Sequence, residues 1–250
     1  MDKILDRYNQ FFDYVKKEDF FNFGIKNIIT IDKETVSLLW KNLLNNINSK
    51  SKDLYIISFG RNGSGNDSFR RLYKEILDIE INYDPTNNQK PTQLIEKNTI
   101  YRKNKNIFNY QVSHVFGNTK NVYCFTAPWN IVYIPKILDP FTGHEAKGEY
   151  IEEFKILFYN LILQKFSNEI EEYNNIMEKI YPKINKWVDN NIPKKDKKYI
   201  LKEFNKINIK SVVDVELLTT QTYPIVGCSW IYIKELFKNV YLFEMWWDTW

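Results

Sequence analysis

The chain has 250 residues, 44% of them hydrophobic, and a net charge of +4 at neutral pH; that is enough for one large domain or two small ones around a real core. Its mild basicity permits a polyanionic partner without demanding one, and its two cysteines, Cys124 and Cys228, form no C-x-x-C pair, which excludes a four-cysteine zinc site. No apolar run reaches the roughly 18 residues of a membrane span, and the charged opening MDKILDRYNQFF lacks the apolar core of a signal peptide, so a cytoplasmic location without membrane contact is expected.

The first 50 residues read as helical. Leu5, Tyr8, Phe11, Phe12 and Val15 recur at helical spacing, and a second helix carrying Val36, Leu39, Trp40 and Leu43 starts near Thr30 or Asp32, either of which can cap it. Asp53–Gly60 is strand-like and runs into a glycine-rich turn over residues 61–67. A helix follows with Phe69, Leu72, Tyr73, Ile76 and Leu77 on one face. Strand, glycine loop and helix suit an anion site, but no Gly-Lys-Ser/Thr is present, so no nucleotide cofactor is expected. Arg61, Arg70 and Arg71 are candidates for contact with DNA phosphates.

Residues 82–106 are polar and read as a loop. It ends in the basic cluster Tyr101–Asn106, where Arg102 and Lys103 are further candidates for phosphate contact. Residues 149–181 carry a long helical pattern that stops at Tyr181-Pro182. Residues 183–207 are helical and basic, with Lys194, Lys195, Lys197, Lys198 and Lys202. The last 40 residues return to β character and end in Trp246, Trp247 and Trp250.

Chemistry concentrates in the middle. Both histidines of the chain, His114 and His144, lie there. Val112–Phe116 has strand composition, Gly117–Asn121 is turn chemistry whose Lys120 is a further candidate for DNA contact, and Asn130–Ile134 is a second strand ended by Pro135. A helix is expected from about Glu145. Such a hairpin and helix hold one His at the end of the first strand, an Asn on the second and a third group at the helix start. Phosphodiester hydrolysis needs that set. A His suits the role of base for water, and a divalent cation neutralises the charge that develops at phosphorus and the leaving oxygen. Asn, His and carboxylate groups can hold the cation, or the Asn can instead orient the His.

The segment resembles the HNH motif of the ββα-metal nucleases, and its run is similar to the core of HNH type II restriction endonucleases. The resemblance covers residues 110–150. It implies His114 as general base, Asn130 as the central Asn and His144 as a metal ligand on the helix, with Asp139 and Glu145 as further ligands and Mg²⁺ or Mn²⁺ as cofactor. Ser113 stands where the family often has an Asp or His ligand, and the gap from Asn130 to His144 is longer than usual. The fold expected is α+β, with a ββα-metal core over residues 101–170, a helical or mixed region over 1–100, and a helical and β recognition or dimerisation region over 171–250. Double-stranded DNA and a second copy of the chain are the implied partners, as in a restriction-modification system. A rival reading assigns Asp139, Glu145 and Lys147 to the nuclease class built on Asp…Glu-x-Lys, with Asp84 as a substitute for Asp139. Another makes the chain a nucleic-acid-binding protein without activity.

Overall fold

The protein is built around one short antiparallel hairpin whose second strand is wholly enclosed. In the computed structural model, residues 6–58, 66–143 and 146–208 are described. The helices are α1 (Arg7–Phe11), α2 (Lys17–Lys26), α3 (Lys33–Asn48), α4 (Asn66–Leu77), α5 (Gln89–Lys97), α6 (Asp139–Thr142), α7 (Glu149–Lys165), α8 (Ser167–Asn191) and α9 (Lys194–Lys202). The strands are β1 (Tyr55–Ile56), β2 (Asn82–Tyr83), β3 (Tyr110–His114) and β4 (Ile131–Pro135). The fold is thus α+β, mostly helical, with two small sheets among the described residues.

β1 pairs in parallel with β2. β3 and β4 pair antiparallel, with Tyr110 opposite Pro135 and His114 opposite Ile131. Every residue of β4 is buried, which is why Ile-Val-Tyr-Ile-Pro reads as a continuous apolar run rather than an alternating one. On its other edge β4 is joined by Ile29, whose N–H and C=O exchange hydrogen bonds with Tyr133 at 2.9 Å each. The helices cover this centre with one continuous core. Val36, Trp40, Leu43 and Ile47 of α3, Phe154, Phe158 and Ile162 of α7, and Tyr173 and Met177 of α8 all join it. Among the described residues no helix is long and apolar enough to cross a membrane.

Local signals explain several boundaries. Asp32 caps α3 by accepting the Thr35 N–H at 2.8 Å, as its position suggested. Several features differ from the sequence pattern. The first helical stretch is two helices, separated by a turn at Phe12–Val15. Residues 82–106 hold α5, because the buried Asp84 carboxylate accepts the N–H groups of Thr86, Gln89 and Lys90 and so organises a helix start. The 149–181 pattern divides at Phe166, whose backbone (φ −128°, ψ 34°) leaves the helical region while its ring stays in the core. α8 then runs through Pro182 to Asn191. Proline removes one backbone donor, and Ile184, Trp187 and Val188, all buried, hold the continuation in place.

The helix expected from Glu145 starts at Glu149, after a 3₁₀ turn (Lys136–Leu138) and α6. Gly148 makes the entry to α7 with φ +134°, where a Cβ would lie 2.8 Å from Asp6 Oδ2. The expected C-terminal strands and tryptophans lie outside the described residues.

Candidate active site

The 16 residues between β3 and β4 form a compact loop that is tied to itself and to three other elements. Gly117 and Asn118 take positive φ (67° and 49°) and reverse the chain just past β3. Asn130 closes the loop. Its Oδ1 accepts the Phe116 N–H at 2.9 Å, and its Nδ2 donates to the carbonyls of Gly117 and Cys124, both at 3.1 Å. The side chain is fully buried, so every bond it makes replaces one to water. The sequence allows ligation of a metal or orientation of His114; the side chain instead bonds the loop backbone at Phe116, Gly117 and Cys124.

His114 ends β3 at the mouth of this loop. Its Nε2 lies 2.9 Å from the Phe125 carbonyl. A carbonyl can only accept, so Nε2 carries the proton and Nδ1 keeps its lone pair. The ring also stacks on Phe125, with centroids 5.3 Å apart and planes at 18°. Desolvation pushes the imidazole pKa below its ordinary 6.5, while the Phe125 carbonyl and the Asp84 carboxylate pull the other way. His114 is therefore neutral at pH 7 with a fixed tautomer, the state a general base requires.

A cleft of about 770 Å³ opens beside it. The hairpin contributes Ser113, His114, Phe116 and Asn118–Lys120, and the end of α6 contributes Thr142 and Gly143. Tyr159 of α7 and the stretch from Tyr199 to Asn208 complete the wall. Asn121 links loop and helices: its Nδ2 lies 3.2 Å from the Tyr173 hydroxyl and 3.0 Å from the Glu203 carbonyl. Tyr73 of α4 donates its hydroxyl to the Lys120 carbonyl at 2.7 Å and accepts the Val122 N–H at 2.9 Å.

The residues singled out in the sequence fall in different places. His114, Ser113 and Lys120 share the cleft. His144, Glu145 and Arg61 lie outside the described residues, although Gly143, which immediately precedes His144, lines the cleft. Asp139 opens α6, is exposed, and accepts a hydrogen bond from Gln111 Nε2. Lys147 is exposed.

Arg70 packs on the Tyr83 ring at 4.8 Å. Arg71 bonds Asn191 at 3.0 Å and lies 3.6 Å from Glu75. Arg102 donates to the carbonyls of Thr99 and Tyr101. The Lys103 N–H is taken by Glu96 at 3.0 Å. None of these four lines the cleft. Tyr159, Tyr199, Glu203 and Lys206 do, and no sequence signal marks them, because α7, α9 and the stretch after α9 lie far along the chain from the hairpin. Among the described residues, no three His, Cys, Asp or Glu side chains gather into a group able to hold a metal ion.

Residues 31–216 match a protein family described as uncharacterised protein PM1201, and the chain belongs to that family. It is 47% identical over 176 residues to the uncharacterized protein PM1201 of Pasteurella multocida (strain Pm70), covering 70% of this chain and 80% of that one. No solved structure matches it.

Proposed function

We propose that this protein is a metal-dependent DNA nuclease of the HNH (ββα-metal) type, acting as a homodimeric type II restriction endonuclease on double-stranded DNA. The observation that carries the reading is the setting of His114. It is a neutral imidazole at the end of a hairpin strand, fixed by a backbone carbonyl, beside a cleft that Lys120 and Lys202 make basic. Asn130, the last loop residue before β4, holds the loop that carries the carbonyl side of this arrangement.

In this account Nδ1 of His114 takes a proton from a water molecule as its oxygen bonds to phosphorus. The P–O3′ bond breaks, and the leaving oxygen takes a proton from solvent. The chemistry calls for Mg²⁺ or Mn²⁺ to offset charge on the phosphoryl group. The described side chains do not by themselves supply its ligands, since Asn130 is spent on the loop and Asp139 stands apart from the cleft wall. The resemblance to the HNH nucleases gives the ligand role to His144 and Glu145, which lie outside the described residues.

A digest of plasmid DNA by the purified protein tests the reading, with Mg²⁺ and with EDTA. Discrete Mg²⁺-dependent fragments that vanish in His114→Ala support it. Fragments that persist in the variant at the wild-type rate sink the His114 mechanism and redirect the search to Asp139, Glu145 and Lys147.

A further inference from the structure

Two lysines from distant parts of the chain converge on one aromatic ring in the cleft. Lys120 Nζ lies 4.2 Å and Lys202 Nζ 5.0 Å from the ring centroid of Tyr199. Tyr199 and Lys202 are three apart on α9, so they share a face, whereas Lys120 comes from the hairpin loop. Backbone contacts fix the meeting. Glu203 Oε2 accepts the Lys120 N–H at 3.0 Å, and the Glu203 carbonyl accepts from Asn121. The Tyr73 hydroxyl holds the Lys120 carbonyl from the other side of the chain.

Desolvation in the cleft wall lowers the Lys120 pKa. The Glu203 carboxylate raises it in part, and the charge of Lys202 lowers it again. Two like charges drawn together on a concave, partly dry wall, with an aromatic ring holding both ammonium groups by its π face, suit a ligand that brings concentrated negative charge. A phosphodiester, whose one negative charge is shared by two non-bridging oxygens, can meet both ammonium groups, and the cleft that holds the pair also holds His114.

We propose that Lys120, Tyr199 and Lys202 form a phosphate subsite that grips the backbone of a DNA strand beside the His114 end of the cleft. The choice of DNA as the source of the phosphate rests on the nuclease reading above; the subsite itself does not. It contacts a phosphate other than the one cut, so it sets strand position and contributes affinity without sequence preference.

The test is fluorescence anisotropy of a labelled DNA duplex in EDTA across a salt series, with wild type, Lys120→Gln, Lys202→Gln and Lys198→Gln. Lys198 is exposed on the same helix but outside the cleft wall. Each cleft variant is expected to flatten the slope of log K against log salt by about 0.9, the loss of one phosphate contact. Lys198→Gln keeps the wild-type slope. Lys202 is exposed, so Lys202→Gln carries the test if Lys120→Gln lowers the melting temperature. Slopes for Lys120→Gln and Lys202→Gln no flatter than that for Lys198→Gln overturn the subsite, and a wild type that binds no duplex overturns DNA as its ligand together with the nuclease reading. Because binding is read without turnover, a protein that grips DNA through these lysines but never cuts it refutes the nuclease reading alone.

Discussion

Replacing Asn130 by Ala probes the element that holds the site together. The substitution removes three hydrogen bonds and leaves the Phe116 N–H and the Gly117 carbonyl without their partner, while the Cys124 carbonyl keeps the Ala127 N–H. Asn130 itself is 0% exposed, so water does not replace it freely. An unsatisfied buried polar group costs about 1–3 kcal/mol, and partial relaxation of the loop brings the sum to roughly 4 kcal/mol. For a protein of this size about 1 kcal/mol shifts the melting temperature by roughly 2–4 °C, so Asn130→Ala should melt on the order of 10 °C below wild type.

Asn130→Asp sharpens the argument. A carboxylate can still accept from Phe116 but turns negative oxygen toward two carbonyls. Burial and those carbonyls raise its folded pKa, so whatever stability it retains is present below the unfolded pKa of about 3.9. That stability is lost as pH rises through the folded pKa. The melting temperature of Asn130→Asp, relative to wild type, should therefore fall between pH 5 and pH 8, read by circular dichroism with each protein compared at the same pH. A melting temperature of Asn130→Ala within about 2 °C of wild type would refute the view that this side chain fastens the loop.

Other outcomes follow from the same contacts. Tyr73→Phe removes a buried hydroxyl that serves Lys120 and Val122; it should cost about 2 kcal/mol, seen as a lower urea midpoint at an unchanged m-value. The carboxyl of Asp78 is held at about 2, below its ordinary 3.8, by hydrogen bonds from Lys50 and then Lys74. Its contribution to stability is complete above 3.8 and lost as pH falls toward 2. Melting curves of Asp78→Asn should accordingly show a shallower decline over that window than wild type. The neutral His114 predicts that the acid limb of cleavage lies below the ordinary histidine value of 6.5, so a rate that collapses on going from pH 8 to pH 7 would contradict it.

The hairpin was legible because its residues carry local signals. β3 and β4 have strand composition, Gly117 and Asn118 announce the turn, and Pro135 ends β4. Asp32 likewise announced α3. α5 escaped notice because its buried positions are few, Pro91 and Ile95, and its start depends on Asp84, which sits before the segment. The break at Phe166 leaves no mark in composition, since a single residue changes φ while its ring stays in register with the core.

The cleft shows the limit most clearly. Ser113, His114 and Lys120 are close in sequence and were readable together. Tyr159, Tyr199, Lys202 and Glu203 reach the same cleft only through the packing of α7, α8 and α9, and no spacing rule links them to the hairpin. Asn130 reads from the sequence as the start of the second strand, but it is the last loop residue before β4, and its bonds to the loop backbone depend on the three-dimensional path of residues 115–130.

The central claim is that His114 is the base in a DNA-cutting cleft. Single-turnover cleavage of plasmid DNA in Mg²⁺ by His114→Ala, with and without added imidazole and with its melting temperature checked against wild type, tests it most directly. The account predicts cutting by wild type, a loss of at least about 100-fold in the variant, and partial recovery when imidazole fills the vacated position. Cutting by a folded His114→Ala protein at the wild-type rate, or no cutting of any DNA by wild type, would contradict it.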